Sequence, residues 1–175
     1  MPNIRPATIS DLNLVQALAL QTFRATYEHL NTPENFKNYI ESAFSTAQLT
    51  KELINPASYF YLLQEEKKTI GYIKINEAIA QTDLQEADSL ELERIYVLQQ
   101  YQGKGFGKQL LQKAFQVTKE KGKKSLWLGV WNQNPKAIQF YQSQGFSKFG
   151  EHEFVIGDDR QIDFLMRRTL FFDEE

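Results

Sequence analysis

A chain of 175 residues, 42% hydrophobic and 24% charged, holds enough apolar material for one domain with a sizeable core. The absence of cysteine excludes disulfides, thiolate metal sites and a covalent cysteine intermediate, and two histidines supply a triad or metal centre poorly, so no metal is expected. A net charge of -2 offers no basic field to nucleic acid, no stretch approaches the roughly 18 apolar residues of a membrane span, and the opening "MPNIRPATIS" lacks an apolar signal region, so a cytoplasmic location is expected.

Residues 3 to 6 read as a short strand. Ser10 offers a side-chain oxygen as N-cap to a helix whose Leu14, Val15, Leu18 and Ala19 recur at helical spacing. "NTPENF" starts another helix, with Thr32 as N-cap and Pro33 in the first helical position. "STAQLTKELI" predicts a short helix from Ser45. "SYFYLLQ" and "TIGYIKI" are aromatic and β-branched runs joined by "EEKK", the pattern of a hairpin. After the polar loop "NEAIAQTDLQEAD", the alternation of "SLELERIYV" predicts a strand. A glycine-rich loop and a helix follow, with Leu110, Leu111, Ala114 and Phe115 on one face. "SLWLGVW" is continuously apolar, as in a strand covered on both sides. A helix from Asn134 stops at Gly145, and "FGEHEFVIGDDRQIDFLMRRTL" folds about "GDD" as a hairpin. With no repeat and no linker, this order predicts a single α/β domain with a mixed sheet. The aromatic tail "TLFFDEE" is expected to close the sheet or meet a second subunit, a possible homodimer.

The loop "QGKGFGKQLL" raises the functional question. The first turn of a helix leaves backbone N–H groups without partners and carries partial positive charge, so anions bind there. Glycines let a phosphate approach the backbone with no Cβ in the way. Lys104 and Lys108 add charge suited to a pyrophosphate. Two other phosphate loops are excluded by spelling. A P-loop needs a glycine five residues after its first, followed by Lys-Ser/Thr, and no Gly-Lys-Ser/Thr occurs here. A dinucleotide fingerprint, G-x-G-x-x-G, meets Lys108 at its third glycine if counted from Gly103, and Leu110 if counted from Gly105.

The spacing Gln102-x-x-Gly105-x-Gly107 between a strand and a helix resembles the acetyl-CoA loop of the GCN5-related N-acetyltransferase (GNAT) superfamily. "NQNPKAIQFYQSQGF" is similar to a second block of that family, at Asn134, Ala137, Tyr141, Gly145 and Phe146, and "IRPATISDL" is typical of its opening. Within the family, the stretch from about Thr22 to Thr169 resembles the PaiA-type spermidine/spermine acetyltransferases, with a departure at Lys104. The resemblance implies a mostly antiparallel central sheet flanked by helices. It also implies a splay between the strands around 90–98 and 125–131. Acetyl-CoA is the implied co-substrate. Its pyrophosphate would rest on the amides of Gly103, Lys104, Gly105, Phe106, Gly107 and Lys108 beside Gln102. Its pantetheine arm would lie along Ile95, Tyr96 and Val97, whose exposed backbone N–H groups polarise the thioester carbonyl. Asn134 caps the following helix and, with Ala137, borders the pantetheine.

An alkylamine acceptor is almost wholly protonated at pH 7, which costs about 4 kcal/mol before attack. A carboxylate that removes this proton offsets the cost. Alternation would set Glu91, Glu93, Ile95 and Val97 on one strand face and Leu92, Arg94 and Tyr96 on the other. The resemblance implies a water-linked base at Glu93, with Glu91 as the alternative and simple surface ion pairs as the other reading. It likewise implies a general acid at Tyr141 for the departing thiolate. With no cysteine, direct attack of the amine on acetyl-CoA in a ternary complex is expected.

A polyamine needs carboxylates around its charges, and Glu28, Glu34, Glu41, Asp158 and Asp159 are candidates, each equally readable as an ordinary helix-surface or turn residue. His29 and His152 are expected to be ordinary packed or exposed residues. Three readings follow: acetylation of spermidine or spermine, the same chemistry on a peptide N-terminus, protein lysine or other small amine, and a CoA-binding regulatory module without turnover.

Overall fold

The computed structural model describes residues 1–170; the expected role of the tail at 171–175 lies outside the described residues. In chain order the strands are β1 (Asn3–Pro6), β2 (Ser58–Glu65), β3 (Lys68–Asn76), β4 (Ser89–Val97), β5 (Ser125–Trp131), β6 (Ser147–Ile156) and β7 (Asp159–Thr169). The helices are α1 (Leu12–Tyr27), α2 (Pro33–Ala43), α3 (Thr46–Ile54), α4 (Phe106–Glu120) and α5 (Pro135–Ser143). None of the described helices is long and apolar enough to cross a membrane.

The local signals explain most boundaries. Thr32 accepts a hydrogen bond from Asn35 N, Ser45 from Gln48 N and Asn134 from Ala137 N, with Pro33 and Pro135 just inside their helices. Gly145, at φ +88°, ends the chain's last helical turn in a conformation that side chains resist. The first helix differs from the expectation. Thr8, not Ser10, opens it: Thr8 forms a capping box with Asp11 across a short 3-10 turn, Ile9–Asp11, that contains Ser10. Arg5 clamps the same Asp11 with two nitrogens at 2.9 and 2.8 Å. The Asp11 carboxyl is therefore held down at about 2, chiefly by the Arg5 hydrogen bonds against the opposing effect of burial.

The seven strands form one sheet in the order β1-β2-β3-β4-β5-β7-β6. Every neighbouring pair is antiparallel except β4 and β5, which are joined by the α4 crossover. Helices α1, α2 and α3 cover one face through Val15, Phe23, Phe36 and Leu49, packed on Leu62 and Tyr72. Helix α4 covers the other with Leu110, Leu111, Ala114 and Phe115, packed on Ile73, Leu92 and Leu126.

Two irregularities position the site. First, β4 and β5 pair only at Ser89, Leu90 and Glu91 with Ser125, Leu126 and Trp127. Beyond Glu91 they carry no ladder between them, which is the expected splay. Second, strict alternation in β4 fails at one residue. Lys74 pairs with Arg94 but Ile75 with Leu92, so Glu93 is the extra residue of a β-bulge. The phase slips there. Leu90, Leu92, Ile95 and Val97 all join the α4 core, while Glu91, Glu93, Arg94 and Tyr96 all face the α1–α2 side. The expected grouping of the two glutamates with Ile95 and Val97 is therefore corrected: a bulge, invisible to a period-two reading, separates them.

Candidate active site

The glycine loop presents unpaired donors. Gly103 and Gly105 take φ of +74° and +84°, and a Cβ added at either would meet open space, so the backbone lies bare on this surface. Gly105 caps α4 without any side-chain hydrogen bond. The first amide to close a helical bond is that of Gln109, onto Gly105 O at 3.1 Å. Among the described residues, the N–H groups of 103–108 find no acceptor. Lys104 and Lys108 are exposed beside them, Lys104 standing 5.4 Å over the Tyr101 ring. The Phe106 ring is buried in the core, so this residue offers only its backbone.

The loop is tied to the end of β4. Gln102 Nε2 donates to Val97 O at 3.0 Å. Leu98 N–H donates to Ile70 O on the β3 side, and Tyr96 pairs with Tyr72 on β3. Backbone alternation then turns the N–H groups of Ile95 and Val97 to the opposite edge, the one that β5 leaves open. Tyr96 departs from the expectation of a cofactor contact: its backbone is committed to β3, and its ring stacks on Tyr72 in the wall of the cavity described below.

On the far side of the splay, Asn134 Oδ1 holds Ala137 N at 3.2 Å, which leaves the Asn134 amide nitrogen free to donate and occupies the Ala137 amide. The Tyr141 ring packs against Phe140 and Phe146, and its hydroxyl has no hydrogen-bond partner among the described residues. Burial, with a smaller push from Tyr27, raises its proton affinity well above that of an ordinary phenol.

A cavity of about 500 Å³ opens on the α1–α2 face of the splay. Phe23, Tyr27, Tyr39 and Phe44 come from the leading helices and their connection, Trp127 and Trp131 from β5, and Phe154 from β6. Among the described residues, five carboxylates line it, Asp83, Glu91, Glu93, Glu153 and Asp163, against one guanidinium, Arg94. Glu91 and Glu93 both line this cavity, but in different environments. Glu93 is in ion contact with Lys74, lies 3.7 Å from Arg94, and accepts Asn76 Nδ2 at 2.8 Å. Burial pushes its carboxyl up, yet Arg94 and Lys74 outweigh this and hold it below the usual carboxylate range. Glu91 accepts Thr82 N at 2.7 Å, the Thr82 hydroxyl and Asn76 Nδ2 at 3.1 Å. Its burial dominates and raises its carboxyl. Asn76 bridges the two.

The acidic residues expected to surround an amine are elsewhere. Glu28 pairs with Arg24, Glu41 lies 3.9 Å from Lys37, and Asp158 accepts Asn35 Nδ2, all on the surface. Glu34 is exposed, and Asp159 lines a separate, smaller hollow beside Leu30 and Arg160. Asp83, Glu153 and Asp163 line the cavity instead. No spacing announces these three, because they come from a loop and two hairpin strands that meet only on folding. His29 is exposed as expected. His152 is not an ordinary surface residue: it sits in the cavity wall between Asp83 and Asp163.

Known proteins are similar to this chain in sequence and fold. The model of the acetyltransferase (GNAT) family matches residues 17–146. An uncharacterized N-acetyltransferase of Lactobacillus delbrueckii subsp. lactis is 37% identical over 172 residues, covering 97% of this chain and 99% of its own. A spermidine N(1)-acetyltransferase of Thermoplasma acidophilum is 27% identical, over 94% of this chain and 95% of its own. The crystal structure of the PaiA N-acetyltransferase from that organism, in complex with coenzyme A, superposes with a TM-score of 0.79 at 26% identity, covering 97% of this chain and 99% of that one. The chain belongs to the acetyltransferase (GNAT) family and is an acetyl-CoA-dependent N-acetyltransferase.

Proposed function

We propose that this enzyme acetylates a primary amine of a polyamine, spermidine or spermine, by direct attack on acetyl-CoA in a ternary complex. The observation that carries the reading is the cavity: aromatic faces and five carboxylates around one guanidinium, at the open side of the splayed strands. Aromatic faces attract ammonium groups, and carboxylates complement several positive charges along one flexible chain. The similarity to spermidine and spermine acetyltransferases of Thermoplasma acidophilum and Bacillus subtilis supports the same substrate class.

In this reading the bare amides of 103–108, with Lys104 and Lys108, hold the pyrophosphate of the co-substrate. The pantetheine arm enters the splay, bordered by the free amide nitrogen of Asn134. The N–H groups of Ile95 and Val97 face the thioester oxygen and stabilise the negative charge that grows on it. Glu93, in ion contact with Lys74 and 3.7 Å from Arg94, adds to the negative field of the cavity rather than carrying the proton. Glu91 adds to the same negative field. The unpartnered Tyr141 hydroxyl protonates the thiolate as the C–S bond breaks.

Thiol release from acetyl-CoA, measured against spermidine, spermine, putrescine, a lysine peptide and a peptide with a free N-terminus, tests the reading. Spermidine or spermine is expected to give the highest kcat/KM. A tenfold preference for either peptide would defeat the polyamine assignment while keeping the chemistry. No amine-dependent release from any of them would leave only coenzyme binding.

A further inference from the structure

The reaction needs a proton acceptor, and neither cavity glutamate of β4 is well placed to be one. Glu93 is committed to Lys74 and Arg94, and every short contact to Glu91 comes from a donor, Thr82 or Asn76. The cavity contains one imidazole. His152 on β6 pairs across the hairpin with Asp163 on β7, and its side chain is 27% exposed. Its Nδ1 lies 3.0 Å from Asp83 Oδ2, off the direction of a hydrogen bond, so the buried nitrogen has a charge neighbour but, among the described residues, no hydrogen-bond partner. Its Nε2 lies 3.9 Å from Asp163 Oδ2.

The placement follows from a glycine. A Cβ on Gly129 would come within 3.4 Å of Asp163 Oδ2 and 3.8 Å of His152 Cε1, so both side chains lie directly over β5 at this residue. Gly129 lies two residues beyond Trp127, the last β5 residue that pairs with β4, so His152 stands over β5 where the two strands have begun to part. Imidazole is the side-chain type that exchanges protons near neutrality. The charged groups that face it are Asp83 from the loop after β3, Asp163 from β7, its neighbour Glu153, and Glu91 and Arg94 across the cavity on β4.

We infer that His152, held between Asp83 and Asp163 above Gly129, is the base that deprotonates the acceptor ammonium. This rests on the acetyltransferase reading of the preceding section. One N–H bond of the ammonium breaks and its proton passes to the imidazole, directly or through one water. The freed lone pair attacks the carbonyl carbon, forming the C–N bond, and the C–S bond breaks with its electron pair leaving on sulfur. The second amine proton replaces the one that Tyr141 gives to the thiolate. The imidazolium proton leaves past Asp83, whose side chain is 38% exposed, to solvent.

The test compares the wild-type enzyme with H152A, using spermidine and an analogue whose terminal amines carry neighbouring difluoromethylene groups. Fluorine withdraws electron density, so the analogue keeps a far larger unprotonated fraction near pH 7 than spermidine does. H152A is expected to lose about 100-fold in kcat on spermidine with KM little changed, to lose less than threefold on the analogue, and to recover part of the loss when imidazole is added. Equal losses on both amines without rescue, or no loss at all, would overturn the inference. Coenzyme A affinity measured by calorimetry reports whether the variant is folded. Should H152A not bind coenzyme A, the wild-type profile decides. A kcat that levels off while the amine is still protonated supports the base, whereas a tenfold rise per pH unit up to pH 9, tracking free amine alone, overturns it. A wild-type enzyme that releases no thiol with any amine would instead remove the functional reading itself, and this inference with it.

Discussion

Lys74 on β3 reaches Glu93 at the bulge of β4 while its Nζ stays 3.2 Å from Glu52 on α3. Arg94 joins the same Glu52 at 2.8 Å, so two cations and two carboxylates close a buried network between three elements, with Lys74 only 5% exposed. The bulge makes this possible. By adding one residue to β4 it turns Glu93 and Arg94 toward the same face, where a regular strand would oppose them.

Replacing Lys74 with Met leaves two carboxylates facing one guanidinium in a buried site, and breaking such a network costs about 3–5 kcal/mol. The pH dependence has a defined sign. The Glu93 carboxyl is depressed in the folded protein, so its contribution to stability is present above the ordinary carboxylate value and is lost as pH falls through its lowered one. Removing Lys74 reverses part of that depression. Urea denaturation should therefore show a larger deficit for the variant at pH 7 than at pH 4. An equal deficit at both would detach the network from Glu93.

Asp11 tests the entry to α1. Asp11→Ala removes both the Arg5 clamp and the reciprocal cap with Thr8, and should cost about 1–2 kcal/mol at pH 7. Because the carboxyl is held at about 2, this contribution survives at pH 4 and fades as the pH approaches 2. Thermal melts across that range check it.

Gly105→Ala isolates the loop. The added methyl meets nothing, so any effect comes from forcing an L side chain into φ +84°. The backbone cost is about 1–2 kcal/mol. If relaxation turns the amides of 106–108 from their present direction, coenzyme A affinity falls by at least tenfold, as calorimetry would report. Unchanged affinity would separate the loop from the pyrophosphate.

Tyr141→Phe removes only an unpartnered hydroxyl, so the melting temperature should hardly move. Turnover should drop about 100-fold while coenzyme A affinity stays within a few-fold. Steady-state kinetics that show full activity would end the general-acid role.

The negative cavity predicts salt sensitivity. KM for spermidine should rise with ionic strength while kcat stays level, and Glu153→Gln should raise KM about threefold at low salt. A KM indifferent to both would argue that the carboxylates do not hold the amine.

The amino-acid order determined what depends on neighbours a few residues apart. The caps at Thr32, Ser45 and Asn134, the hairpins, the bare loop at Gly103 and Gly105 and the apolar face of α4 were all legible. Each rests on a local hydrogen bond, a φ preference or a 3.6-residue period that the chain carries with it. Gln102, Asn134 and Tyr141 were singled out by the resemblance of their segments to a known family. The tertiary structure alone decided how the cavity side of β4 is arranged. One inserted residue at Glu93 changed which side chains share a face, and period-two reasoning has no means to detect it. The ion network of Glu52, Lys74, Glu93 and Arg94, and the meeting of Asp83, His152 and Asp163 over Gly129, join residues from separate elements. Their energies depend on distance and burial in space, which a linear sequence does not contain.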